Sequence, residues 1–380
     1  MKIGINALSL AEPKVGVHYY IINLVKHLIA VDSTNQYLIF ITPEMKGNFA
    51  EFQNLCVIRV GQVRKLSFFC RVFKEQFFIP FLLRKHQIDI YHCLDHILPI
   101  FIPTKHAVVT VHDLTFFSYK KMHSWGTRLY FPNFIKASLK KAEKIICVSE
   151  NTKRDVVSYY GVPTQKIKVI HHGIGSHFHT YYKSNNDSRV KEVKQRYNIE
   201  HDFFLFVGTL EPRKNILTLI RAFYDLGELR TKYNLVIAGK KGWQFSEIFE
   251  LVGELSLEDR VVFTGYVPDD VLVSLYNGAR IFVYPSYYEG FGLPPLEAMA
   301  CGTPTIVSNT STLPEIVGSS ALQVDPNNVK QLKQAILKIL TDRKLEKNLI
   351  KKGLQNAKKF TWHKSASEML NTYNQLLSSE

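Results

Sequence analysis

Cysteine is scarce. The five in 380 residues, at positions 56, 70, 93, 147 and 301, lack the close spacing of a metal site or a disulfide framework. They read as buried free thiols of a reducing compartment. No apolar run approaches the roughly 20 residues that a membrane-spanning helix needs. Nor does a basic and then apolar leader open the chain. Met1 to Leu10 alternates apolar and small residues as a first strand would, so a cytoplasmic location is expected. Low-complexity tracts and short internal repeats are missing as well. Acidic residues are in deficit, 33 Asp and Glu against 48 Lys and Arg, for a net charge of +15. The deficit is uneven: residues 1–180 hold 23 basic and 11 acidic side chains, and the remainder holds 25 and 22.

What is present describes a well-packed protein. It is 46% hydrophobic and 12% aromatic, and long enough for two domains with a core each. A basic first half suits nucleic acid, an anionic membrane surface or an acidic substrate. It carries neither a basic helix with groove-reading spacing nor paired aromatics on a sheet, so nucleic acid is not an expected partner. A generally basic, unspecialised surface and contact with an anionic membrane are the two readings left. Within that half, Val63 to His86 carries Phe68, Phe69, Arg71, Phe73, Lys74, Phe77 and Phe78. These make either a basic amphipathic helix lying on a membrane or, the weightier reading, a helix whose aromatics pack inward while its bases are solvated.

Apolar runs alternate with helical periods along the chain. Strands are expected at Lys2–Ala7, Tyr37–Thr42, Cys56–Val60, Ile88–Cys93, Val108–Leu114 and Ile145–Ser149, and a helix over Gly16–Ala30. Ser176 to Asp202 is polar, without a strong apolar period, and is the best candidate for a domain linker. Strands resume at Phe203–Val207, Leu235–Ala238, Val261–Phe263, Ile281–Tyr284 and Thr305–Val307. Such alternation implies right-handed crossovers and parallel sheets, hence an α/β chain of two Rossmann-like domains with a cleft between them. Residues 1–180 would form the first and 181–361 the second, and the spacing of Met369, Tyr373 and Leu376 marks a C-terminal helix within 362–380.

Tyr284 to Gly302 carries the densest chemistry. Gly290 and Gly292 let a turn bring backbone N–H groups close to a ligand, and Pro294 and Pro295 suit the first turn of a helix. A helix N-terminus favours an anion. Glu289 and Glu297 bracket this turn; carboxylates repel phosphate and instead accept hydrogen bonds from hydroxyls, which sugars and riboses offer. Most such turns in doubly wound proteins bind nothing, and spacing alone does not decide. Earlier, Gly208 to Asn215 sets Arg213 and Lys214 just before a helix, within reach of an anion. His112 and Asp113 end a β-branched strand, where polar side chains point into a ligand crevice, although a lone histidine there is often a hydrogen-bonded core residue. Gly239 to Trp243 has no assigned role.

From Glu289 to Pro304 the string Glu-Gly-Phe-Gly-Leu-Pro-Pro-Leu-Glu-Ala-Met-Ala-Cys-Gly-Thr-Pro, with seven residues between its glutamates, resembles the signature of family 4 of the retaining glycosyltransferases. The likeness extends through His112-Asp113-Leu114, Val148 to Asp155, Tyr160 to Pro163, Lys168 to Gly173 and Gly208 to Asn215, covering nearly the whole chain. It implies the GT-B fold, two Rossmann-like parallel-sheet domains facing an interdomain cleft, and transfer of a sugar from a nucleotide donor with retention. By the same resemblance Arg213, Lys214 and the N–H groups after Glu289 would meet the departing diphosphate. Glu289 would hold donor-sugar hydroxyls, Glu297 the ribose diol, and His112 the sugar from the first domain. Gly16, Gly208, Gly290, Phe291, Gly292 and Leu293 would line the donor, and the backbone around Val267 would meet the base. Gly16 keeps the first glycine of the family's Gly-x-Gly, while His18 replaces the second.

No Asp-x-Asp motif is convincingly placed, so neither a metal nor a cofactor is expected. The stretches His112 to Phe117 and Val148 to Gly161 look most like enzymes that extend surface polysaccharides, often with mannosyl-type donors such as GDP-mannose. The implied partners are a nucleotide-sugar, a glycan or polyprenyl-diphosphate-linked acceptor, and the inner face of the membrane in peripheral contact. The C-terminal helix would pack back on the first domain. Two alternatives stay open: a nucleotide-sugar epimerase of the same fold, which normally lacks the Glu-Gly-Phe-Gly-Leu string, and a non-catalytic nucleotide-sugar-binding partner subunit, for which His18 is the hint.

Overall fold

The computed structural model describes residues 1–8, 16–41, 49, 55–60, 73–118, 125–181 and 187–378. Phe68, Phe69, Cys70 and Arg71 lie outside the described residues. The chain divides into two compact units, residues 1–173 together with 361–380, and residues 174–360.

The first unit is built on seven parallel strands: β1 (Lys2–Asn6), β2 (Gln36–Ile41), β3 (Leu55–Arg59), β4 (Ile90–Cys93), β5 (His106–Val111), β6 (Lys144–Cys147) and β7 (Ile167–Val169), ordered β3-β2-β1-β4-β5-β6-β7. Strand β5 is buried along its length, as expected for a sheet covered on both faces, and so reads as a continuous apolar run. Successive residues feed two cores. Ile39 and Val108 join Tyr20, Leu24 and Leu28 of the helix Gly16–Val31 on one face. Phe40 and Val109 join Ile79, Leu83, Ile135 and Val156 on the other.

The helix Trp362–Leu377 completes the first of these cores with Trp362, Ala366, Met369, Tyr373 and Leu376. Thr361 caps it, accepting from the Lys364 N–H. Ser365 donates to the His171 carbonyl at 2.6 Å, and the Tyr373 hydroxyl meets His92 Nδ1 at 2.6 Å.

The second unit has six parallel strands: β8 (Asp202–Val207), β9 (Tyr233–Ala238), β10 (Val261–Gly265), β11 (Ile281–Tyr284), β12 (Thr305–Ser308) and β13 (Leu322–Val324), ordered β10-β9-β8-β11-β12-β13. In each sheet the order reverses once, between β1 and β4 and between β8 and β11. A reversal of this kind opens a crevice at the carboxyl ends of the strands, where doubly wound folds bind ligands.

Several expectations are corrected. The Ser176 to Asp202 stretch is not linker throughout: Ser188–Arg196 is a helix capped by Asp187 that buries Val190 and Val193 within the second unit. Two buried valines are too few to show a helical period in sequence. Strands β7 and β13, three residues each, lie at sheet edges and escaped notice for the same reason. Cys93, Cys147 and Cys301 are buried, whereas Cys56 is exposed on the edge strand β3. Phe73, Phe77 and Phe78 do not pack inward; Glu75, Ile79, Leu82 and Leu83 already fill the inner face of their helix. Among the described residues no helix is long and apolar enough to cross a membrane.

Candidate active site

In the second unit, the loops after the neighbouring strands β8 and β11 are stitched together. Tyr287 N–H donates to the Arg213 carbonyl at 3.0 Å. Asn215, in the left-handed region at φ 56°, sends its amide to the carbonyls of Pro285 (3.1 Å) and Pro326 (2.7 Å). Gly208 N–H bonds Ala238 O and Gly239 N–H bonds Gly265 O, both at 2.9 Å, so the ends of β8, β9 and β10 form one shelf. A Cβ on Gly239 would overlap the Gly208 carbonyl oxygen, so only glycine fits there. Sequence reasoning gave that residue no role.

Four charges converge on this shelf. Arg213 Nη1 donates to Glu289 Oε2 at 2.9 Å and to the Tyr288 carbonyl at 2.6 Å, and Nη2 donates to Glu211 Oε1 at 2.6 Å. Lys214 Nζ donates to Glu289 Oε1 and to the Tyr284 hydroxyl, each at 2.7 Å. Tyr284 and Ser286 donate to the same Oε1 at 3.0 and 2.6 Å. Burial alone would raise the Glu289 pKa; Arg213, then Lys214 and the Ser286 hydrogen bond outweigh it and hold the carboxyl at about 2. The sequence suggested sugar-binding carboxylates and phosphate-binding cations as separate groups. The structure joins Arg213, Lys214 and Glu289 in one network and adds Glu211, Tyr284 and Ser286. Of these three, Ser286 alone carried a signal, a hydroxyl three residues before Glu289.

The Glu289 backbone is clamped too. Its N–H donates to Ser311 Oγ at 3.0 Å, and that hydroxyl donates back to the Glu289 carbonyl at 2.7 Å. Gly290, Phe291 and Gly292 follow, all buried, with Gly292 at φ 99° heading the helix Leu293–Ala300. Pro294 and Pro295 lack N–H groups, so Leu293 and Leu296 alone supply donors from the helix's first turn. Glu297 accepts the Tyr276 hydroxyl at 2.9 Å. Burial pushes its carboxyl up to about 7, the Tyr276 hydrogen bond opposing and Asp269 adding to the rise. Val267 is buried just past β10.

In the first unit His112 directly follows β5. Its Nε2 lies 2.9 Å from the Leu94 carbonyl, and because a carbonyl only accepts, Nε2 carries the proton and Nδ1 the lone pair. Burial and then His96 bring the His112 pKa down to about 4, so the ring is neutral near pH 7. Tyr20 lies edge-on at 4.7 Å between ring centroids, with His172 at 5.7 Å and His96 at 5.8 Å. His96 Nδ1 pairs with Asp95 at 2.6 Å and its Nε2 lies 2.9 Å from the Asp113 carbonyl, buttressing the turn. Asp113 accepts from the Thr115 N–H (3.0 Å) and hydroxyl (2.8 Å).

Gly16 begins its helix, and a Cβ there would meet no atom of the described residues within 4 Å, so packing does not demand the glycine. His18 is buried in the same turn. Among the described residues, no three His, Cys, Asp or Glu side chains are grouped to hold a metal ion.

Comparison with known proteins places this geometry. Two family models match in succession, Glycosyltransferase Family 4 over residues 15–177 and Glycosyl transferases group 1 over residues 188–356. The O-antigen chain mannosyltransferase B of Escherichia coli is 31% identical over 98% of this chain and 99% of its own length. Among solved structures, the sucrose-phosphate synthase of Thermosynechococcus elongatus is similar with a TM-score of 0.78 at 23% identity, covering 100% of both chains. HepE of Anabaena, in complex with UDP and glucose, is similar with a TM-score of 0.78 at 18% identity, covering 99% of this chain and 100% of its own. The class is thus the GT-B fold, with two Rossmann-like parallel-sheet domains. The chain belongs to glycosyltransferase family 4, the glycosyl transferases of group 1.

Proposed function

We propose that this glycosyltransferase moves a mannosyl group from GDP-mannose, with retention of configuration, to a glycan or polyprenyl-diphosphate-linked acceptor in surface polysaccharide synthesis at the cytoplasmic face of a membrane. The observation that carries the reading is the network of Arg213 with the buried Lys214 and Glu289 at the carboxyl ends of β8 and β11. The name of the Escherichia coli relative, an O-antigen mannosyltransferase, supports the sugar and the product class.

In the proposed step the bond from the donor's C1 to the diphosphate oxygen breaks, and an acceptor hydroxyl oxygen bonds C1 on the same face. Its proton passes to the departing phosphate oxygen. Negative charge grows on the diphosphate as it leaves. Arg213 and Lys214, desolvated and fixed by Glu211 and Glu289, meet that charge without reorganising. With two cations on the leaving group, the reaction is taken to run without a metal or a cofactor.

Glu289 Oε1 already accepts three hydrogen bonds while Oε2 accepts one, so Oε2 has capacity for a donor-sugar hydroxyl. The His112 Nδ1 lone pair would accept another. Glu297, once ionised, would accept the ribose diol. Gly16, Gly208, Gly290, Phe291, Gly292, Leu293 and Val267 would line the donor.

Calorimetric titration of GDP, UDP, ADP and dTDP in the presence of EDTA tests this. GDP is expected to bind most tightly, with Glu297→Ala weakening it about tenfold or more. If no nucleotide binds even with magnesium restored, the transferase reading falls. Unchanged donor turnover in Arg213→Ala would show the leaving-group assignment to be wrong.

A further inference from the structure

Nine large hydrophobic side chains are exposed among the described residues, and six of them, Phe73, Phe77, Phe78, Phe81, Ile100 and Phe101, gather in one region of the first unit. Their exposure runs from 42% for Phe78 to 66% for Phe77 and Ile100. A single π-helical turn, Lys74–Phe78, leads directly into the helix Ile79–Lys85. That wider turn and the helix after it hold Phe73, Phe77 and Phe81, four residues apart, along one outer face. The rings of Phe73 and Phe77 are 4.9 Å apart and those of Phe78 and Phe81 6.4 Å.

Gln76 ties this helix to the loop beside it, accepting the Ile100 N–H at 2.7 Å, so Ile100 and Phe101 extend the apolar face. The rim is basic. Arg84 and Lys85 are exposed at the helix end, and Lys141 Nζ donates to the Ile100 carbonyl. The helix's one carboxylate, Glu75, is turned inward and 4% exposed.

Four outward phenylalanines on one short helix are more apolar surface than a soluble protein leaves open without use. A phenyl ring has no polar atom and makes no directional bond, and a basic rim selects a negatively charged surface. A self-complementary contact with a second copy would set the two basic rims against each other. We propose that this patch docks the protein on an anionic lipid bilayer. The rings enter the headgroup boundary, and Arg84, Lys85 and Lys141 lie against the lipid phosphates. The proposal deepens the reading of a membrane-borne acceptor and rests on it, but it uses no residue assigned to donor binding or transfer.

Flotation of the full chain with phosphatidylcholine vesicles, and with vesicles containing one-third phosphatidylglycerol, is the test. The wild type is expected to bind the anionic vesicles about tenfold or more better than the neutral ones. Phe77→Ser with Phe81→Ser should lower binding to both by about tenfold, and Arg84→Glu with Lys85→Glu should erase the preference for phosphatidylglycerol. GDP binding by calorimetry should be unchanged in both variants, which also reports that they are folded. Anionic vesicles that fail to bind a wild type still able to bind GDP would overturn the docking surface alone. Intact vesicle binding without nucleotide binding would overturn the transferase reading alone. A wild-type dimer in sedimentation that Phe77→Ser with Phe81→Ser makes monomeric, with no vesicle binding, would reassign the patch to self-association.

Discussion

Glu289, buried, and Glu297, half-buried, lie close to one turn, yet their surroundings drive them to opposite sides of the ordinary carboxylate range, about 2 and about 7 against 4.5. Glu289 has the lower pKa in the folded state. Its stabilising contribution is present above pH 4.5 and is lost as the pH falls from there toward 2. Glu297 has the higher one. The folded protein keeps a proton that the unfolded chain has released, so its contribution is full below pH 4.5 and declines as the pH rises to about 7. Each effect amounts to roughly 3 kcal/mol at most, by the conversion of pKa shift to free energy.

Urea unfolding between pH 3 and pH 8 should therefore show Glu297→Gln losing the decline between pH 4.5 and 7. Glu289→Gln, which removes the carboxylate shared by Arg213 and the buried Lys214, should lose about 3 to 5 kcal/mol at pH 7. A Glu297→Gln profile parallel to wild type would rule out the raised carboxyl. If Glu297 holds the ribose diol as proposed, the hydroxyls bind its ionised form, so nucleotide affinity should rise about tenfold per pH unit up to about pH 7 and then level off. Calorimetry in two buffers of different ionisation enthalpy reads the accompanying proton release, which Glu297→Gln should abolish. His112, neutral above about pH 4, contributes nothing to that slope.

At the level of elements, the turn between β11 and the helix Leu293–Ala300 depends on Gly292. Its φ is 99°, and an added methyl would lie 2.8 Å from Leu313 Cδ2. Gly292→Ala should cost about 1 to 3 kcal/mol, read as a lowered Tm, and should weaken nucleotide binding as the helix start shifts. Wild-type Tm and affinity together would mean that the turn has no need of the left-handed conformation.

This turn was legible because its glycines, prolines and glutamates are contiguous. So were strands such as β5 and β11, whose apolar runs stand between polar ends. The ion-pair network was not, because Glu289 and its partner Arg213 are separated by 76 residues and only the pairing of β8 with β11 joins them. Tyr284 gave no warning either, since a tyrosine closing a buried strand looks like core. The outward phenylalanines were misjudged because nothing in the spacing reveals that Glu75, Ile79, Leu82 and Leu83 already fill the inner face.

Across the whole molecule, the two units draw on the chain differently. The second is a continuous piece, residues 174–360, while the first needs residues 361–380 to complete its core. A chain ending at Phe360 would expose the partners of Trp362, Ala366, Met369, Tyr373 and Leu376 and leave His92 without its Tyr373 contact. Burying each large apolar side chain contributes about 1.5 to 3 kcal/mol, so together these losses rival the whole stability of a domain. Such a truncation should lose near-ultraviolet dichroism from the first unit and collect in the insoluble fraction; a soluble chain with a cooperative transition for that unit would contradict this.

The same arrangement governs the order in which a ribosome can finish the protein. The first unit emerges first but must wait for the helix Trp362–Leu377, because the groove along Gly16–Val31 that receives it cannot close until residues 174–360 have been made. At ordinary synthesis rates, residues 174–360 take roughly 10 to 40 s to appear, and the nascent chain displays that apolar groove throughout, a surface open to aggregation until the helix arrives.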